Sequence, residues 1–83
     1  MAIEFTRVNS DVNGNPRYVM DFYHILTPVE RDLPFCSRYP LAIKKANKIG
    51  GRKFHNTQYG GGLVFSTYNI GNLEKRILAI AAE

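Results

Sequence analysis

Apolar and polar residues alternate roughly from Ile3 to Val8, and a longer β-prone run extends from Arg17 to Leu26, with Asn13-Gly14-Asn15-Pro16 between them. Asn-Gly favours a tight turn with positive φ at both central residues, so the pattern predicts a β-hairpin. In its second strand one face carries Tyr18, Met20, Phe22, His24 and Leu26, and the other carries Arg17, Val19, Asp21, Tyr23 and Ile25. The first face is the expected core side. From Thr27 to Pro40 the pattern is lost. Pro28, Pro34 and Pro40 each lack a backbone donor and disfavour helix in the residue before them, which predicts a loop over 27–40.

Pro40 suits the first position of a helix running through Leu41 to Ile49 and ended by Gly50-Gly51. Ala42, Ala46 and Ile49 fall in one sector with Ile43 beside it, and Lys44, Lys45 and Lys48 are expected on the opposite, outward side. Lys45 and Lys48 also lie near the C-terminus of this helix, where cations offset its dipole. Short strands follow at Arg52 to Asn56 and Gly62 to Tyr68, with a glycine-rich turn between them. A last helix covers Leu73 to Ala82, with Asn69 or Asn72 as cap and Ile70, Leu73, Ile77, Ile80 and Ala81 as its apolar stripe. The order ββαββα predicts one α+β domain over residues 1–83, a four-stranded antiparallel sheet with two helices on one face.

Length and composition agree with a single small core. The chain has 83 residues, 45% hydrophobic and 12% aromatic, enough to bury roughly 60% of the unfolded surface and too little for a second domain or a large enclosed cavity. The aromatic content also argues against disorder. The one cysteine, Cys36, cannot form an intramolecular disulfide. With no signal-like leader and no apolar run near the roughly 18–20 residues that span a bilayer, the expected setting is reducing and cytosolic, away from membranes.

Charge changes this picture more than composition does. The net charge of +4 is unevenly placed. From Leu33 to Leu73 there is no acidic residue, while Arg38, Lys44, Lys45, Lys48, Arg52 and Lys53 make that block +6 and leave the remainder at −2. Such asymmetry suggests a face for an anionic partner; the plainer alternative is a solvated lysine-rich helix surface.

Candidate chemistry is sparse. His24, His55 and Cys36 recur at no metal-ligand spacing, and nothing in the sequence brings them together as a nucleophile and base, so neither a metal nor another cofactor is expected. His55-Asn56-Thr57 matches one half of the paired His-x-Thr motif of certain phosphoesterases. The second half is missing, because Ile25 and Leu26 follow His24. Glu30 and Asp32 flank Arg31 in the Pro-rich segment and resemble a solvated charge cluster more than a tuned acid–base pair. Gly50-Gly51 follows a helix and Gly60-Gly61-Gly62 lies between strands, the reverse of a phosphate-binding loop. These absences predict a non-enzymatic protein.

The segment from Lys48 to Gly62 interleaves Lys48, Arg52, Lys53 and His55 with Phe54 and Tyr59, and adds the amides of Asn56 and Gln58. Cations for phosphates with aromatic faces for bases is the mixture found in single-strand binding, where stacking is worth about 1–3 kcal/mol per base. Phe54 also reads as core, since alternation sets it opposite Lys53 and His55. Residues 52–55 lack the aromatic signature of RNA-recognition sheets. The candidate partner-binding residues are therefore Lys44, Lys45, Lys48, Arg52, Lys53, His55 and Tyr59.

The wording Ile43-Lys-Lys-Ala-Asn-Lys-Ile-Gly-Gly-Arg-Lys-Phe-His-Asn56, then Gln58-Tyr-Gly-Gly-Gly-Leu-Val-Phe-Ser-Thr-Tyr-Asn69, with Asn13-Gly-Asn-Pro-Arg-Tyr18 upstream, resembles small accessory proteins carried by bacteriophages and plasmids. The resemblance covers about half the chain. It implies an accessory gene product, a category that includes inhibitors of host immunity such as anti-CRISPR proteins and also small nucleic-acid-binding regulators. The expected partner is a host protein or nucleoprotein complex with an anionic surface, or DNA or RNA directly.

Overall fold

A computed structural model describes residues 3–54 and 62–83. The chain runs β1 (Thr6–Val8), β2 (Arg17–Asp21), a 3-10 turn (Phe22–Ile25), α1 (Pro28–Arg31), α2 (Phe35–Asn47), β3 (Arg52–Phe54), β4 (Gly62–Ser66) and α3 (Ile70–Ala81). The strands form one antiparallel sheet in the order β1-β2-β4-β3. The α+β class and the ββαββα plan hold. Met20, Leu63 and Phe65 on one sheet face join Tyr39, Ala42 and Ala46 of α2 and Leu73, Ile77 and Ile80 of α3 in a single buried cluster. Both long helices thus cover the same face.

The first connection differs from a two-residue hairpin turn. Residues 9–16 separate β1 from β2, and Gly14 alone among them has positive φ, at 83°. The Asp11 carboxylate organises this loop. Its Oδ1 accepts from the Asn13 and Asn15 amides at 2.9 Å each, and its Oδ2 accepts from Asn15 Nδ2 at 3.2 Å. The Asn15 amide foremost holds the Asp11 carboxyl below the usual carboxylate range.

β2 also stops earlier than the alternation predicts. Asp21 Oδ1 accepts from the Tyr23 amide at 3.1 Å, so a side chain offers the backbone a local alternative to the ladder. Past Asp21 the period of two no longer applies. Phe22, Ile25 and Leu26 are buried, whereas His24, expected on the core side, is only half-buried.

The segment 27–40, expected as a loop, contains α1 and the start of α2. Thr27 and Glu30 form a reciprocal capping box: the Glu30 amide donates to Thr27 Oγ1 at 3.2 Å, and Glu30 Oε1 accepts from the Thr27 amide at 2.8 Å. Pro28 occupies the first turn, where its missing donor costs nothing. α2 begins at Phe35, and Pro40, expected at its first position, lies inside it. Packing outweighs the proline here. Phe35 stacks on Tyr39 with centroids 5.3 Å apart, Tyr39 packs edge-on against Phe22 at 5.2 Å, and the Tyr39 hydroxyl donates to the Gly62 carbonyl at 3.2 Å. Pro40 itself is exposed, so the carbonyl it leaves without a donor one turn back sits on the solvent side.

α2 closes in a Schellman arrangement: the Gly51 amide donates to Ala46 O at 2.8 Å and the Gly50 amide to Asn47 O at 3.4 Å, with Gly50 at φ 85°. Gly51 is buried against the core, where an added methyl would overlap the Phe65 ring and meet the Ala46 methyl at 3.0 Å. α3 is capped by Asn69, whose Oδ1 accepts from the Asn72 amide at 3.0 Å, and it buries Leu73, Ile77 and Ile80 as its pattern predicts.

Candidate partner-binding surface

Lys44 and Lys48 stand one turn apart on the exposed side of α2, as the helical pattern requires. The helix ends at Asn47 with Lys48 as its C-cap, and a shallow groove opens there between α2 and α3. Its lining is Lys48, Ile49, Arg76, Ala79, Ile80 and Glu83. Two cations therefore border an apolar strip, with one carboxylate at the chain end. Arg76 was not among the sequence candidates. Its signal lay in the α3 pattern: Arg76 is three residues after Leu73 and four before Ile80, which puts it on the margin of the buried stripe.

Lys45 is a correction. It was expected outward with Lys44 and Lys48, yet it is 7% exposed and its Nζ meets Glu30 Oε1 at 2.6 Å. At about 100° per residue it lies only about 60° from Ala42, which makes it a border position instead of an outer one. α1, where a loop was expected, supplies the carboxylate that neutralises it. Glu30 is correspondingly no part of a solvated cluster. One oxygen accepts from both Lys45 Nζ and the Thr27 amide. The Lys45 ammonium foremost, then the Thr27 amide, hold the Glu30 carboxyl below its usual range.

The strand residues diverge. Arg52 pairs with Val64, which pairs with Val19, and these lie on the sheet face opposite the buried Met20 and Leu63. Lys53 pairs with Leu63 and so projects to the helix side, where its Nζ lies 5.8 Å from the Tyr39 ring centroid. Arg17 shares the open face with Arg52, and its Nε donates to the Asn9 carbonyl at 2.7 Å. With Lys45 paired, the acid-free block is distributed over four places: Arg38 over the Phe22 and Tyr23 rings, Lys44 and Lys48 outward by the end of α2, Lys53 on the helix side of the edge strand, and Arg52 on the open sheet face. His55 and Tyr59 lie outside the described residues, as does the predicted turn at 57–61.

Cys36 is exposed with a free thiol. Among the described residues no group of three or more His, Cys, Asp or Glu side chains could hold a metal ion. No helix among them is long and apolar enough to cross a membrane.

The family model described as Staphylococcus phage terminal repeat-encoded protein TreK aligns with residues 1–82. No curated protein and no solved structure matches the chain.

Proposed function

Because the chain belongs to the TreK family of Staphylococcus phage terminal repeat-encoded proteins, we propose that it works as a non-enzymatic accessory protein in the host cytoplasm, docking on a host complex that handles nucleic acid and inhibiting or modulating it. Defence complexes of the CRISPR kind are one such target. The observation that carries this reading is the exposed pair Lys44 and Lys48, continued by Arg76 across an apolar strip. The one ion pair among the described residues neutralises Lys45 and leaves this pair available. A cationic rim around apolar side chains suits an anionic protein or nucleoprotein surface better than phosphate alone.

Direct binding of DNA or RNA is the second reading. It draws on the sheet face that neither helix covers, where Arg17 and Arg52 accompany the half-buried Phe54.

Fluorescence anisotropy with single- and double-stranded DNA and RNA at moderate salt separates the two. The docking reading expects no tight binding of naked nucleic acid, and co-purification of a staphylococcal nucleoprotein complex that is lost in Lys44→Glu/Lys48→Glu. Tight binding that weakens steeply with salt favours the second reading. Full retention of the complex by a folded double variant removes the lysine face from the argument.

A further inference from the structure

Three of the six large apolar side chains exposed among the described residues fall at the α1–α2 connection: Val29 at 78%, Leu33 at 39% and Phe35 at 46%. Val29 lies in α1, and Leu33 follows two residues past its end in the closing turn, where the Leu33 amide donates to the Glu30 carbonyl at 3.2 Å. Phe35 meets Phe22 edge-on at 5.8 Å.

Two arginines converge on the same footing. Arg31 Nε donates to the Tyr23 carbonyl at 2.9 Å. Arg38 lies over the Tyr23 ring at 4.6 Å and near the Phe22 ring at 5.4 Å, and its Nη1 donates to the Arg31 carbonyl at 3.1 Å. Neither forms an ion pair among the described residues, and the neighbouring Asp32 pairs with neither. Arg38 Nε is buried with no hydrogen-bond partner among them.

We propose that Val29, Leu33 and Phe35 with Arg31 and Arg38 form a docking site for an acidic polypeptide segment bearing aliphatic or aromatic side chains. The apolar side chains would receive such residues, and the guanidinium N–H groups left over from the backbone contacts would receive carboxylates in charge-assisted hydrogen bonds. Both arginines are already held in place, so little side-chain freedom is lost on binding. A nucleic acid would leave Val29 and Leu33 facing phosphate, which favours a polypeptide. This site is separate from the lysine face and stands without it.

The test is selection of a displayed random peptide library on the intact protein, followed by anisotropy with the selected peptides. Enriched peptides are expected to combine Asp or Glu with Leu, Ile or Phe. Their affinity should fall roughly tenfold or more in Val29→Ser/Leu33→Ser and in Arg38→Lys, and should fall clearly less in Lys44→Glu/Lys48→Glu, which alters only the long-range field. The Val29/Leu33 variant alters exposed side chains only and keeps the experiment decisive if Arg38→Lys unfolds. The proposal is overturned if no peptide is enriched over the Val29→Ser/Leu33→Ser bait, if enriched peptides lack acids, or if the variants bind like wild type. Loss of oligonucleotide binding in these variants would also overturn it, by assigning the surface to nucleic acid.

Discussion

Lys45→Met removes an ammonium from a pair whose side chains are only 8% and 19% exposed, with N and O 2.6 Å apart. At that separation and an effective dielectric near 20 the attraction is about 6 kcal/mol, and the desolvation of both ions offsets most of it. Removing one partner loses the attraction and leaves the other's desolvation in place. For fully buried pairs that costs about 3–5 kcal/mol; the residual exposure of Glu30 reduces the expectation for Lys45→Met to about 2–3 kcal/mol. Glu30→Gln keeps an acceptor for the Thr27 amide but strands the better-buried ammonium, so its expected cost is about 3 kcal/mol. The double variant should return to within about 1 kcal/mol of wild type, because a neutral pair of similar volume needs no mutual rescue. Urea denaturation followed by circular dichroism near neutral pH reads this directly. With a slope of about 1–1.5 kcal/mol per molar urea, each single variant should move the midpoint by about 2 M. Single variants that each cost less than about 0.5 kcal/mol, or whose effects simply add, would refute the buried-pair account.

Acid should expose the same pair. The Glu30 carboxyl is lowered on folding, so its contribution is complete above the ordinary glutamate value of about 4.5 and is lost as pH falls through the folded value. Acid titration of stability should therefore show a smaller decline in Glu30→Gln than in wild type, and equal declines would contradict the assignment. Gly51→Ala should destabilise by about 1–3 kcal/mol through overlap with Phe65, read as a lowered melting temperature; an unchanged value would mean that the ring moves aside freely. Asn69→Ala should cost about 1 kcal/mol from loss of the α3 cap, and Lys44→Glu/Lys48→Glu about 1–2 kcal/mol from reversed charge at the α2 C-terminus, leaving the domain folded.

α3 and the second half of α2 are legible because an apolar stripe recurs over successive turns, and the short strands because turn residues bracket them. Where the reading fell short, a tertiary or side-chain contact outweighed the local rule. Asn13-Gly14 signals a two-residue turn, but Asp11 gathers the nearby amides into a longer loop. Pro40 signals a helix start, but Tyr39, wedged against Phe22 and bonded to Gly62, carries the helix through it. Thr27-Pro28-Val29-Glu30 is itself a capping-box sequence, and its proline, a loop signal elsewhere, is compatible with the first turn of a helix. Of the candidate site, Lys44 and Lys48 followed from helix geometry. The fate of Lys45 required knowing that Glu30 would fold back to meet it, a contact across fifteen residues that no periodicity encodes.

The division of the basic block among the α1–α2 connection, an outer helix face and both faces of the edge strand has a kinetic consequence for the anionic partner proposed above. Cations on several sides create a field that draws an anionic body from many directions but exerts little torque to turn one face towards it. Collisions would be frequent and mostly misoriented, so added salt should slow association through the encounter rate and leave the lifetime of the docked complex largely unaltered.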